Sequence, residues 1–117
     1  MRVLAVKPKY AHNIIDGKKT IEVRSRETRI RERIAIYATS PEQKIIGTVE
    51  IVASSRCNDD IEYEIYKNEH LAPSEYYQEG ETCFWHLKNP TKFTEPVPYK
   101  PPRGAIVWSI FELPEVE

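Results

Sequence analysis

The stretch "GKKTIEVRSR", residues 17–26, joins a glycine-lysine turn to an alternating strand. Side chains two positions apart on a strand point to the same face. We therefore expect apolar Ile21 and Val23 to fill the core of a β-barrel, while the opposite face carries Thr20, Glu22, Arg24 and Arg26. Glu22 and Arg24 would lie about 6–7 Å apart along the strand, within reach of each other. Such a pair is either a binding site for a polar ligand or a weak ion pair on a solvated surface.

The remaining sequence predicts about six strands and two or three short helices. Apolar, β-rich runs predict strands at residues 2–6, 20–26, 33–39, 44–54, 82–87 and 105–112. Helical spacing and capping residues predict helices near 9–16 and 59–70, and a shorter one at 72–80. Segment 88–104 holds five of the nine prolines, so we expect a crossing or rim loop there and no central strand. This order predicts an α+β, mostly β fold, a small mixed and mostly antiparallel β-barrel.

Length and composition predict a single domain, residues 1–117, in the cytoplasm. The formal net charge is −1, so no overall field attracts a long nucleic acid, and any contact with one needs a local basic patch. No apolar run approaches the roughly 20 residues that cross a membrane. The apolar run before Lys7 is too short for a secretory signal.

The cysteines, histidines and glycines predict neither a metal nor a cofactor. Cys57 and Cys83 have no partner at metal-ligand spacing, so we expect two reduced thiols, with a disulfide as the alternative. His12, His70 and His86 share no zinc-ligand spacing. The four glycines form no phosphate-cradling loop.

The longer block "KPKYAHNIIDGKKTIEVR", residues 7–24, resembles the signature of the ASCH family in the PUA-like superfamily. That signature is a Lys-Pro pair after a strand, an aromatic residue, a short helix, and then a Gly-Lys turn into a Glu-x-Arg strand. Residues 35–51, "AIYATSPEQKIIGTVEI", resemble the second hairpin of the family, and residues 85–108 resemble its C-terminal part. The resemblance covers nearly the whole chain, and its first block is the specific one.

The resemblance implies a PUA-like barrel with a polar cleft between the barrel and the first helix. PUA-like domains are associated mostly with RNA or modified nucleotides, so the expected partner is RNA or a modified nucleoside or nucleotide, with no membrane. The expected ligand-binding residues are Lys7, Tyr10, Lys19, Thr20, Glu22, Arg24 and Arg26. The oligomeric state is left open.

Two other functions stay open from the sequence. Some ASCH proteins are hydrolases that deacetylate N4-acetylcytidine, and some are reported to cut RNA, which implies Lys19 and Glu22 as a catalytic acid–base pair. The resemblance implies that the acetylcytidine hydrolases carry Thr at the position of Glu22 and take a further Glu from the later helical region. This chain departs from that pattern because it has Glu22. Glu69 and Glu75 are candidates for the further Glu. Alternatively, Lys19 is only a cation at a helix end, and the domain is a small protein-interaction module.

Several weaker signals surround this block. The basic residues of the segment form either a phosphate-binding rim or a salt-laced solvated surface: Lys18, Lys19, Arg24, Arg26, Arg29, Arg31 and Arg33. Tyr10 and Trp85 are candidates for stacking under a base, although aromatic residues at these spacings more often pack in a core. Four tyrosines of the helical insert either line the far wall of the cleft or pack: Tyr63, Tyr66, Tyr76 and Tyr77.

Overall fold

The computed structural model describes residues 1–104 and 108–112, and it shows a mostly β protein with short helices. The strands are β1 (Arg2–Val6), β2 (Ile21–Arg24), β3 (Arg33–Ala38), β4 (Lys44–Arg56), β5 (Cys83–Pro98) and β6 (Trp108–Ile110). The helices are α1 (Pro8–Ile15), α2 (Asp60–Ile65) and α3 (Lys67–His70), followed by a single 3₁₀ turn at Ser74–Tyr76. The predicted fold class is confirmed. Of the predicted last strand at 105–112, residues 105–107 lie outside the described residues.

One mixed sheet contains all six of these strands, in the order β2-β5-β4-β3-β1-β6. β1 runs parallel to β3, and the other neighbouring pairs are antiparallel, as the sequence predicts. The first and last strands of the chain pair with each other, with Val3 opposite Ser109. Within the described residues, backbone pairing does not join β2 to β1. The gap between them, which we call the β1–β2 seam, is bridged by the Arg24 guanidinium, whose Nη2 donates to the Ala5 carbonyl at 3.0 Å.

The main core lies between α1 and one face of the sheet. The buried side of α1 presents Ala11, Ile14 and Ile15, which pack with residues such as Leu4 and Ile36. Pro8 begins the helix at a position where its missing N–H costs no hydrogen bond. Because the buried side of α1 packs on the sheet, Lys7 before the helix and Lys19 after it are held at the edge of the β1–β2 seam.

Ile21 and Val23 do not pack in this main core. Ile21 is buried in a second cluster with Tyr63 and Phe84, against which Val23 packs. At β2 the sheet is covered on both faces, because α2 and α3 pack on the face opposite to the main core. The other face of β2 is the one that meets the main core, since Glu22 lies opposite core residue Trp85. The expectation that the apolar face of β2 fills the barrel core is therefore corrected.

The prediction of a loop at 88–104 is wrong for most of its length. β5 continues to Pro98 and lies between β2 and β4 in the sheet. Its pairing with β2 ends at His86, so beyond Leu87 the strand is paired only with β4 and has a free edge. Prolines are tolerated on such an edge because no ladder partner there requires their missing N–H.

The predicted helix at 59–70 is two helices. The Asp59 side chain caps α2 by accepting from the Glu62 N–H at 2.8 Å. The helical path breaks at Tyr66, and α3 ends at His70, after which Leu71 takes the left-handed conformation with φ 53°. This early end brings the chain back toward α1 and β2.

Both cysteines are buried free thiols. Burial raises the pKa of Cys57 and of Cys83, so neither thiol is activated as a nucleophile. Within residues 1–104 and 108–112, no helix has the length and apolar character needed to cross a membrane.

Candidate functional site

A cavity of about 360 Å³ opens at the β1–β2 seam. The end of β1, the start of α1, the face of β2 and the segment after α3 form its walls. Its charged and aromatic lining residues are Lys7, Tyr10, Lys19, Glu22, Arg24 and Tyr76. Five of these six lie within the block of residues 7–24 that the sequence singles out.

Lys19 lies at the floor of the cavity because of the way α1 ends. Gly17 takes a positive φ of 80°, and the amides of Lys18 and Lys19 both donate to the Asn13 carbonyl at 2.9 Å. The turn directs the Lys19 side chain inward, where it is 1% exposed. Its Nζ donates to the His70 carbonyl and lies 3.6 Å from Glu22 Oε1.

Burial lowers the pKa of Lys19 below its ordinary value, and the Glu22 carboxylate partly offsets that effect. The Nζ also lies 5.3 Å from the centre of the Tyr10 ring, a distance at which a cation is attracted to the ring face. The groups placed around Nζ are thus two oxygen acceptors and an aromatic face. This surrounding suits an ammonium group.

Glu22 and Arg24 form the rigid polar pair that the strand pattern predicts. The Glu22 side chain is 8% exposed, and its Oε2 accepts from Arg24 Nε at 3.0 Å and from Nη2 at 2.7 Å. The guanidinium also lies over the Trp85 ring, 5.6 Å from its centre. Arg24 is therefore fixed by Glu22, by the Ala5 carbonyl and by Trp85, and Glu22 holds one cation at each of its two oxygens.

Two tyrosines and a lysine surround the mouth of the cavity. The rings of Tyr10 and Tyr76 meet edge to face with centres 6.2 Å apart, and Lys7 Nζ donates to Tyr76 Oη at 3.3 Å. Burial, followed by the hydrogen bond to Tyr76, raises the pKa of Tyr10. Hydrogen bonds from Tyr10 and then Lys7 lower the pKa of Tyr76. The Tyr76 hydroxyl is thus the more acidic of the two.

His70 supports the floor from behind. Its ring is fully buried: Nε2 donates to the Tyr63 carbonyl at 2.8 Å, and Nδ1 accepts from the Ala72 N–H at 2.9 Å. These bonds require the neutral imidazole. By fixing the ring, they also fix the His70 carbonyl that holds Lys19.

The buried neutral His70 makes stability depend on pH. Burial lowers the pKa of His70, so the unfolded chain takes up a proton near pH 6.5 while the folded protein does not. We expect the free energy of unfolding to fall as pH drops from 7.5 to 5.5, by at most about 1.4 kcal/mol per pH unit for this one group.

Urea unfolding at several pH values measures this slope. Burial lowers the pKa of His86 as well, so part of the slope remains when His70 is replaced. His70→Gln should flatten the slope, and equal slopes for the variant and the wild type would show that His70 is not the group responsible.

A sequence model of the ASCH domain matches residues 4–97. The chain belongs to the ASCH domain family. The crystal structure of ASCH from Zymomonas mobilis is 23% identical, with a TM-score of 0.77, and the match covers 95% of this chain and 87% of that one. No curated protein matches the chain significantly.

Two mutants of the Zymomonas mobilis ASCH protein give the same picture. The serine-to-alanine mutant is 24% identical with a TM-score of 0.76, covering 95% of this chain and 87% of that one. The tyrosine-to-phenylalanine mutant is 22% identical with a TM-score of 0.76, covering 95% and 89%. At this level of identity the likeness shows the fold alone, which is that of ASCH domains.

The structure brings five of the seven expected ligand-binding residues of this ASCH domain to one cavity: Lys7, Tyr10, Lys19, Glu22 and Arg24. Thr20 and Arg26 are exposed and lie outside it. The reason is the shortness of β2, which spans only Ile21–Arg24, so the alternation of faces does not extend to its flanking residues. The binding roles of all seven and the catalytic roles of Lys19 and Glu22 stay predictions.

Glu69, Glu75 and Arg31, which the sequence also singles out, do not line this cavity. Glu75 lines an adjoining cavity of about 280 Å³ that shares Arg24 and Tyr76 with the first, and Glu69 is exposed. Arg31 bonds to the carbonyls of Thr28 and Ile30 rather than forming an open phosphate rim.

Sequence reasoning had no way to select three contributors to the cavity. The sequence did not distinguish among the four tyrosines of the insert. In the structure Tyr76 lines the cavity, whereas Tyr63 is buried in the second core cluster. Ala72 and the His70 carbonyl have no sequence signal, because an alanine side chain and a backbone oxygen are everywhere. In the described part of the chain, no group of three His, Cys, Asp or Glu residues is placed to bind a metal ion.

Proposed function

We propose that this ASCH domain binds a nucleoside, a nucleotide or a short single-stranded RNA segment in the cavity at the β1–β2 seam. One observation carries the proposal: a charge triad of the buried Lys19 and Glu22 and the partly exposed Arg24, beside the Tyr10 ring in about 360 Å³ of space. That volume is at the lower end of the range for small-molecule sites, about 300–1,000 Å³.

The chemistry of the triad suits the edge of a base. Each carboxylate oxygen of Glu22 has more than one acceptor position, so after binding Lys19 and Arg24 the group can still accept from a base amino group. Arg24 is 27% exposed and has further N–H donors for a carbonyl or phosphate oxygen. Tyr10 offers an aromatic wall, and bases stack on such walls in single-stranded recognition.

Charge and size favour a small ligand over a long duplex. The net charge of −1 provides no general attraction for a polyanion, and salt-dependent binding to phosphates needs many basic contacts. The positive groups of the cavity are few and local. A single nucleotide or a flipped-out base of a short RNA therefore fits better, and the cytoplasm, where such ligands occur, is the expected location.

The geometry favours binding over hydrolysis. Lys19 Nζ donates to the His70 carbonyl and lies 3.6 Å from the Glu22 carboxylate. Both oxygens favour the ammonium form, which is neither base nor nucleophile. Its lowered pKa is the one observation that keeps the hydrolase as a second candidate, with Lys19 and Glu22 as the acid–base pair.

One experiment separates the two candidates. The purified protein is incubated with a panel of modified nucleosides, including N4-acetylcytidine, and short RNAs, and both retention and turnover are read by mass spectrometry. We expect retention without turnover, and Lys19→Arg should retain the ligand within about tenfold because it keeps the charge. Turnover by the wild type that falls by about a hundredfold in Lys19→Arg would establish the hydrolase instead.

A further inference from the structure

The cavity carries more positive than negative charge. Three cationic side chains line it, Lys7, Lys19 and Arg24, against the single carboxylate of Glu22. The chain as a whole has a net charge of −1, so this excess is local. A ligand with an anionic group would compensate it.

Lys7 is the cation of this set that no carboxylate holds. Lys19 and Arg24 both pair with Glu22, at 3.6 Å and 2.7 Å. None of the ion pairs formed among residues 1–104 and 108–112 includes Lys7. Among the described residues, its ammonium group contacts the Tyr76 hydroxyl at 3.3 Å and the face of that ring, so it still has protons to donate.

The Tyr76 hydroxyl offers a second donor at the same point. Its oxygen accepts from Lys7 at 3.3 Å, and the Tyr10 ring packs edge to face against the Tyr76 ring with centres 6.2 Å apart. A hydroxyl that accepts hydrogen bonds becomes a stronger donor. Among the described residues its own proton has no hydrogen-bond acceptor, and Tyr76 is 42% exposed, so the proton is available to a ligand.

We infer that Lys7 and Tyr76, supported by Tyr10, form a seat for a phosphate at the mouth of the cavity. The ligand class is then a nucleoside that carries a phosphomonoester, either a free mononucleotide or the phosphorylated end of an RNA. The base would face Glu22 at the floor, and the phosphate would lie at the exposed mouth. The inference rests on the proposed function and narrows it.

Isothermal titration with the four common nucleosides and with their 5′- and 3′-monophosphates tests the seat. Hydrogen bonds to a charged group contribute about 1.5–3 kcal/mol, so one monophosphate series should bind about tenfold or more tightly than its nucleosides. Trinucleotides with and without the terminal phosphate distinguish the two sources. A gain on the trinucleotide identifies an RNA end, and a gain on the mononucleotide alone identifies a free nucleotide.

Variants locate the effect. Lys7→Gln and Tyr76→Phe should each weaken nucleotide binding by about tenfold more than nucleoside binding. Lys88→Gln removes the same charge from an exposed position outside the cavity and should leave the preference unchanged. Equal binding of nucleosides and nucleotides overturns the phosphate seat and leaves the proposed function standing. Binding of neither class contradicts the proposed function, and the seat with it.

Discussion

Replacing Lys19 with Met lowers the free energy of unfolding by about 3–5 kcal/mol. The methionine side chain matches the length of the lysine stem, but it leaves the His70 carbonyl without its donor and removes a cation from the buried Glu22. Removal of one partner of a buried ion pair is strongly destabilising. Here the cost comes from the unsatisfied His70 carbonyl and from a buried Glu22 that keeps only Arg24 as its cation. Urea or thermal unfolding measures it.

The adjacent lysine supplies a matched control. Lys18 is exposed, and only its backbone amide takes part in the turn after α1, so Lys18→Met should change stability by less than about 0.5 kcal/mol. The double variant Lys19→Met/Glu22→Met should lose less than the sum of its single variants, because neither a buried Lys19 nor a buried Glu22 is then left without the other. If Lys19→Met and Lys18→Met had equal stabilities, Lys19 would not be the buried member of the triad.

Replacing Arg24 with Met weakens ligand binding by about thirty- to a hundredfold. Arg24 fixes one oxygen of Glu22, bridges the β1–β2 seam to Ala5 and lines the cavity. Removing one member of a hydrogen-bonded charge pair at a binding site costs about 2–5 kcal/mol, and the lower part of that range gives this loss of affinity. Titration with the nucleoside or nucleotide that the panel experiment retains measures it.

Arg26→Met is the control, since Arg26 is two residues further along the chain, exposed and outside the cavity. Its affinity should stay within about threefold of the wild type, because a screened surface charge contributes little. Arg24→Lys should fall between the two, because lysine restores the charge without the planar set of donors. A larger loss for Arg26→Met than for Arg24→Met would place the ligand on the outer basic surface instead.

The part of the site that the sequence predicts is the part that is local in the chain. Glu22 and Arg24 are two positions apart on one strand, and Lys19 follows a helix that ends at a glycine, so strand and helix geometry alone bring them together. The same reasoning failed at Arg26, because a strand pattern says nothing about where hydrogen bonding stops. β2 ends at Arg24, where its partner β5 begins at Cys83.

The contributions that the sequence does not predict come from distant segments. Tyr76 reaches Lys7 across 69 positions, and no local pattern separates it from the neighbouring tyrosines. The buried place of Ile21 depends on α2 and α3 covering the second face of the sheet, which is a matter of tertiary packing. The prolines of 88–104 argue locally against a strand, yet β5 extends to Pro98. Because β2 is short, this part of β5 has an unpaired edge on which prolines are tolerated.

The most direct test of the central claim is chemical-shift mapping of ¹⁵N-labelled protein titrated with the nucleosides and mononucleotides named above. If the cavity at the β1–β2 seam is the binding site, the largest shifts fall on its lining residues, Lys7, Tyr10, Lys19, Glu22, Arg24 and Tyr76. Shifts confined to exposed residues away from the seam, such as Arg29 and Lys88, would contradict the account.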